Sequence, residues 1–244
     1  MPNHVKIEML RMLRNKRYTI FVVAFPVGFY LLSASMWGAG AGLAGAPGAV
    51  TLMVSMAAYG AIAASMMSTA VPWAQERQSG WLRQLRVTPL RDWSIIVTKL
   101  ITSLLLVLPS LALVCLAAVV THDVRLQAGQ WLSLVSALWI GTVPFAALGL
   151  VIGSLLPADT AQSAAVMSTF VLALLGGLWF SVETMPEVMR TVAGVLPAFP
   201  YADIGWHIVA GVAPPASDVV TVAVWAAGLC AVAVLAYRRA LARA

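Results

Sequence analysis

From Tyr18 to Gln75 the chain carries no aspartate, glutamate, lysine or arginine. A hydrocarbon core about 30 Å thick is crossed by a helix of about 20 apolar residues. The uncharged stretch therefore has room for two spans, and Gly38–Gly48 (GAGAGLAGAPG) supplies a turn between them. The same reading continued along the chain predicts spans at Tyr18–Trp37, Val50–Val71, Ile95–Val120, Trp131–Leu155, Ala161–Phe180 and Val219–Tyr237. None holds an aspartate, glutamate or arginine deep inside it; Lys99 lies near the start of the third. Pro26, Pro109 and Pro144 are expected to kink their helices, which membrane helices tolerate. Composition agrees: 61% of residues are apolar and 10% charged, against about 45–50% and 25% in soluble domains. So few charges could not solvate a soluble surface, and the excess apolar surface must face lipid.

A basic N-terminus before an apolar run is also the mark of a signal peptide. This run is longer than a signal core, so it is read as the first span.

Positive charge gives the expected orientation. Lys6, Arg11, Arg14, Lys16 and Arg17 precede the first span. Arg77, Arg83, Arg86, Arg91 and Lys99 lie in or beside the loop after the second, and Arg238, Arg239 and Arg243 follow the sixth. Of the 15 lysines and arginines only Arg125 and Arg190 fall on the other side. The basic side is expected to be the cytoplasm, which makes this a multi-pass protein of the cell (inner) membrane with both termini cytoplasmic. Clustering at span ends accounts for the +6 charge without a nucleic-acid partner. Trp37, Trp73, Trp93, Trp131 and Trp179 fall near span ends, where an interfacial aromatic belt would put them. Cys115 and Cys230 sit in apolar runs and suggest neither a disulfide nor a metal pair.

Three segments outside the spans carry information. In 1–17, Val5, Met9, Met12 and Leu13 share one helical face and His4, Glu8, Arg11 and Asn15 the opposite one, the pattern of an interfacial helix on the inner surface. Segment 183–218 is too apolar for a simple loop. Glu187–Leu196 and Tyr201–Val212 look helical, separated by Pro197 and Pro200, and each would reach only about 15–18 Å. Neither can span, so an outer re-entrant hairpin before the last span is expected.

The third segment is the cytoplasmic loop 72–94, whose Gln75–Trp93 stretch reads QERQSGWLRQLRVTPLRDW. Ser79 can cap a short helix. Trp81, Leu82 and Leu85 would share one face while Arg83 and Arg86 point elsewhere, and Pro89 forces Thr88 out of the helical region. Such a stiff helix with an apolar ridge suits docking into a groove on a cytoplasmic partner.

At this loop the sequence resembles the permease subunits of type 2 ATP-binding cassette (ABC) exporters. Their loop after the second span begins with acidic and basic residues, then glycine, leucines and a Pro-Leu pair. Glu76, Arg77, Gly80, Leu82, Leu85, Pro89 and Leu90 stand here in that order, with Lys99 where the family often has a Gly-Lys step. Thr98 replaces that glycine, and Trp81 stands where many members have threonine, a variant similar to a subgroup of bacterial drug and antibiotic exporters. The resemblance implies an all-α integral membrane fold, with 1–244 forming a single permease domain of six transmembrane helices. It implies a dimer, with a second copy or a homologous permease, and a cytoplasmic ATP-binding subunit that carries ATP and Mg, this chain binding no cofactor.

By the same resemblance Glu76, Gly80, Trp81, Leu82, Leu85, Pro89 and Leu90 couple the chain to that partner. Gly80 would permit close approach, Trp81 and Leu85 would be the docking knobs, and Glu76 would tie the loop to a basic group such as one on the N-terminal helix. The second and fifth spans would line the dimer seam, making Met53, Met56, Tyr59 and Met66, with Met167, Phe170 and Leu174, a candidate path for hydrophobic or amphipathic cargo: a drug, antibiotic or lipid.

No G-x-x-x-x-G-K-[ST] phosphate loop occurs, so ATP would act through another chain. No H-E-x-x-H occurs, and His4, His122 and His207 are dispersed. Two other classes remain on sequence grounds. An ion-coupled secondary transporter would place ionisable groups within the membrane, where this chain has none deep in a span. A membrane enzyme or assembly scaffold would need a converging site that the sequence does not present.

Overall fold

Gly48–Gln78 is rich in alanine, glycine, serine and methionine, a slender helix surface that lets neighbours approach from every side. The computed structural model describes residues 20–40, 42, 45–79, 92–180 and 185–243. In it this segment is one 31-residue helix at the centre of the bundle. The elements in order are a π-helical stretch Ile20–Ala24, α1 (Phe25–Trp37), α2 (Gly48–Gln78), α3 (Asp92–His122), α4 (Ala128–Ile140), α5 (Val143–Leu155), α6 (Ala158–Leu175), α7 (Glu187–Val195), α8 (Ala198–Val209) and α9 (Ala216–Arg243). No strand occurs among the described residues.

Gly48–Gln78, Ile96–His122, Ala128–Leu155, Ala158–Leu175 and Ala216–Tyr237 are long and apolar enough to cross a membrane, and the apolar helix Val22–Trp37 is shorter. The chain is an all-α membrane protein. Of the apolar stretch of α2, 94% is buried, against 11% for that of α9. The small, polar-flecked helix is inside and the bulky aliphatic one outside, the arrangement lipid favours.

Close approach to α2 has two causes. The first is Gly149-x-x-x-Gly153 on α5. A Cβ at Gly149 would stand 2.7 Å from the Met66 carbonyl oxygen, and one at Gly153 would stand 2.4 Å from that of Ala70. Only glycine allows the two backbones so near each other. The second is hydroxyl bonding to α3: Ser68 Oγ donates to Ser103 Oγ at 3.0 Å, and Ser103 Oγ to the Ser65 carbonyl at 3.3 Å.

Prolines free carbonyls, and side chains from neighbouring helices take them up, as a medium without water requires. Pro26 has no N–H for the Val22 carbonyl, which instead accepts from Ser110 Oγ at 2.8 Å. Pro144 acts one turn upstream of itself. The expected fourth span is continuous in direction but broken at Gly141–Thr142, between α4 and α5, because the carbonyls before a proline lose their regular donors. Thr142 N–H turns to the Trp139 carbonyl at 3.3 Å. The Leu138 carbonyl so released accepts from Tyr201 Oη at 2.6 Å.

Other boundaries differ from the sequence reading. The fifth span stops at Leu175 rather than Phe180, because Gly176 caps α6 and Gly177 takes φ +71°. In the hairpin the separator is Leu196–Pro197 alone. Pro200 lies in the first turn of α8, where a missing N–H costs nothing. That helix ends at Val209, three residues before the expected Val212, and Gly211 follows with φ +75°. The interfacial segment 1–17 lies outside the described residues.

Candidate functional site

At 1.5 Å per residue α2 is about 46 Å long, more than a hydrocarbon core is thick, so its last turns project beyond one face. There the helix is fastened on three sides. Glu76 Oε1 forms an ion pair with Lys99 Nζ of α3; 28% of the glutamate side chain and 17% of the lysine remain exposed. Arg77 Nη2 donates to the Leu156 carbonyl at 2.8 Å, at the corner between α5 and α6, and its Nε is buried without a partner. Trp73 donates Nε1 to Ser154 Oγ of α5 at 2.8 Å, and its ring lies 5.4 Å from that of Tyr237 on α9. Each bond comes from the final turns of α2, and each reaches a different element.

Gly80, Trp81, Leu82, Leu85, Pro89 and Leu90 lie outside the described residues. Glu76 is described, and its basic partner is Lys99, from the helix on the far side of the same loop, where the sequence reading looked to the N-terminal helix. Ser79 also differs from expectation. It closes α2 with helical dihedrals (φ −74°, ψ 0°), and its Oγ donates back to the Glu76 carbonyl at 3.0 Å. An N-cap would instead be extended, with its side chain directed forward.

The seven cargo-path residues do not form one surface. Met53, Met56, Tyr59 and Met66 are fully buried within the subunit, because α2 is enclosed by α1, α3, α5 and α6. Thr169 Oγ1 approaches Met66 Sδ at 3.5 Å, a contact within the bundle. Met167 (65% exposed) and Leu174 (39%) face outward from α6, with Val171 (45%) between them. Phe170 joins the two sets: its ring stands 6.2 Å from Tyr59, 5.9 Å from Phe25 and 5.3 Å from Trp179. These four rings with Phe29 fill the space between α1, α2 and α6, and the Trp179 Nε1 is buried among them without an acceptor.

The opposite end of the bundle is held by groups that the sequence reading did not single out. Trp206 of α8 donates Nε1 toward the Thr51 carbonyl and Ser55 Oγ of α2, each at 3.3 Å. Gln130 Nε2 of α4 reaches the Ile208 and Val209 carbonyls at 3.4 and 3.3 Å, capping the end of α8. Trp225 of α9 donates to the Val195 carbonyl at the end of α7, at 2.8 Å. The available signal was chemical type: tryptophan, tyrosine and glutamine in apolar helices need partners. A single sequence does not say which carbonyls supply them.

Among the described residues no three His, Cys, Asp or Glu side chains converge as a metal would require. What the fold defines is a polytopic helical membrane protein, with a central helix fastened at one end beside a charged loop and at the other beneath a short-helix hairpin. The sequence profile described as "ABC-2 family transporter protein" matches residues 39–238, and the chain belongs to that family. It is also similar to "Putative transport permease YvfS" of Bacillus subtilis (strain 168), at 31% identity over 209 residues, covering 85% of this chain and 84% of that protein. Membership makes the chain a multi-pass membrane permease subunit of an ABC transporter and implies an ATP-binding partner subunit.

Proposed function

We propose that the chain exports a hydrophobic or amphipathic compound (a drug, antibiotic or lipid) and has no ATPase site of its own. It works as a dimer, driven by a separate cytoplasmic ATP-binding subunit that holds ATP and Mg. The loop after α2 faces the cytoplasm with both termini, and the hairpin of α7 and α8 dips into the outer leaflet over the exit. The observation that carries this reading is the fastening of the last turns of α2. A push on the 80–91 loop meets a rod tied to α3 by Glu76–Lys99, to the α5–α6 corner by Arg77, and to α5 and α9 by Trp73. The first turns of the same rod bond to Trp206 of the hairpin. A rigid path therefore runs from the loop to the far end, whereas a slack one would absorb the push.

Because α2 lies inside the subunit, the cargo surface is assigned to the outward face of α6, Met167 and Leu174, with Phe170 behind it. Trp81 and Leu85 remain the docking knobs. Replacing both with alanine is expected to strip the ATP-binding subunit from the purified complex, since truncating such an anchor costs about 2 kcal/mol or more. Membrane insertion should be unchanged. ATP-dependent export from proteoliposomes that stays normal in the double variant rules out this docking surface. Export by the chain alone with ATP rules out the separate ATPase. Cysteines at Gln127 and Pro214, introduced after removal of Cys115 and Cys230, should label from outside intact cells, and one at Gln84 should not; the reverse pattern inverts the topology.

A further inference from the structure

Behind the outward face of α6 lies a group of rings with an unmet requirement. Trp179 falls near a span end in the sequence, where an interfacial tryptophan keeps its N–H wet. The structure turns it inward. Leu178 N–H bonds back to the Ala173 carbonyl at 3.0 Å, and Gly177 takes the φ of +71° that such a return needs. The chain folds back on the end of α6, and the indole enters a cluster of four other rings. Phe170 meets it edge to face at 5.3 Å, Tyr59 stands at 5.7 Å, Phe25 at 6.0 Å and Phe29 at 6.2 Å. Its Nε1 is buried with no acceptor. A dry donor without a partner is costly and rare in folded proteins, and a ring face offers it only a weak bond.

The surroundings of this donor limit what could serve it. α1 and α6 both pack on α2 but not closely on each other, and the rings bridge the gap between them. Tyr59 of α2 is buried at the back, while Phe25, Phe29, Phe170 and Trp179 are half-buried. In front, Met167, Val171 and Phe180 are exposed, so the gap opens toward lipid. Side chains rather than backbone close it. α1 has no charged residue, α6 has only Asp159 in its first turn, and α2 has Glu76 and Arg77 in its last turns. Among the described residues of these three helices, then, no carboxylate stands beside the rings to balance a cation. The polar group on offer is a donor, which calls for an acceptor, and the ring faces and edges suit another flat ring system.

We propose that these five rings form a binding site for neutral, flat aromatic compounds that carry an oxygen acceptor, which Trp179 Nε1 engages. The compound enters from the lipid between α1 and α6, lays its rings against Phe25 and Phe170, and gives the indole the partner it lacks. With no water to compete for the donor, the acceptor is selected strongly. That such compounds are the cargo rests on the export reading; that they bind does not.

Binding is therefore measured without ATP, on the full-length chain in phosphatidylcholine nanodiscs, with empty nanodiscs as the blank. The probes are N-methylacridone, a flat tricycle with one carbonyl, and anthracene, a tricycle of nearly the same shape without it. The indole nitrogens of the tryptophans are isotope-labelled, and the Trp179 resonance is identified by its loss in Trp179→Phe. N-methylacridone should bind above the blank and move the Trp179 indole proton downfield. Anthracene should bind more weakly and cause no downfield shift. Trp179→Phe should weaken N-methylacridone roughly 3- to 10-fold and leave anthracene unchanged, a split that loss of packing would not give. Phe170→Leu should weaken both. Loss of ATP-driven export while this pattern holds would count against the transport reading and leave the site standing. No binding above the blank, a shift confined to other tryptophans, or equal losses of both probes in Trp179→Phe would overturn the site.

Discussion

Glu76 and Lys99 face each other across the mouth of the loop that joins α2 to α3, and the strength of their pairing can be bounded from burial. Breaking a fully buried ion pair by removing one partner costs about 3–5 kcal/mol, while an exposed pair contributes under about 1 kcal/mol. With 17% of Lys99 and 28% of Glu76 exposed, the pair lies between these limits, and about 1–2 kcal/mol is the working figure. If the pair holds the loop ends in the position that transmits force, that energy corresponds to a fall of about 5- to 30-fold in the transmitting population. Glu76→Gln and Lys99→Met should each lower ATP-driven export in proteoliposomes by that factor while partner binding persists, with a modest drop in thermal midpoint. The charge swap, Glu76→Lys with Lys99→Glu, should recover a large part of both. A double-mutant cycle on Glu76→Gln and Lys99→Met measures the coupling directly. If the single effects simply add, the two side chains contribute separately and the clamp is refuted, whatever the size of either loss.

Two further expectations concern the packing that keeps α2 enclosed. Tyr201→Phe deletes the donor to the Leu138 carbonyl at the α4–α5 break; it should cost about 0.6–1.7 kcal/mol in reversible unfolding within bicelles, and an unchanged stability would show that another donor or water serves that carbonyl. Gly153→Val places a branched side chain where even a Cβ would stand 2.4 Å from the Ala70 carbonyl oxygen; overpacking should cost at least about 1–3 kcal/mol, and a variant as monodisperse and heat-stable as the parent on size exclusion would contradict the close helix contact.

What the sequence made legible was whatever the bilayer itself dictates. Span length follows from hydrocarbon thickness, so the apolar helices were located, although the second ends at Gln78 rather than Val71. The misses share a cause, in that backbone chemistry outranked hydropathy. Pro144 was expected to kink its helix, and the break falls one turn before it, at Gly141, where the missing N–H is felt. Gly176-Gly177 stood in plain view, yet the apolar run was read through them to Phe180. Burial was the harder matter. Hydropathy treats Met53 and Met167 alike, but one is enclosed and the other 65% exposed. The difference arises from which helices carry small residues. Gly149-x-x-x-Gly153 lay in the sequence as a sign that α5 would press on a neighbour, although the identity of that neighbour is a property of the assembled bundle.

The two ends of α2 are fastened by different chemistry, and the difference bears on how motion could pass between them. At the loop end the fastenings include an ion pair and an arginine, long-ranged and tolerant of small displacements because Coulomb attraction falls slowly with distance. At the hairpin end Trp206 divides its N–H between the Thr51 carbonyl and Ser55 Oγ of α2, each at 3.3 Å, directional bonds that weaken steeply when misaligned. A rod tied on several sides at its loop end and held by longer, alignment-sensitive bonds at the other would turn a small displacement at the loop into the loss of a few discrete bonds at the hairpin.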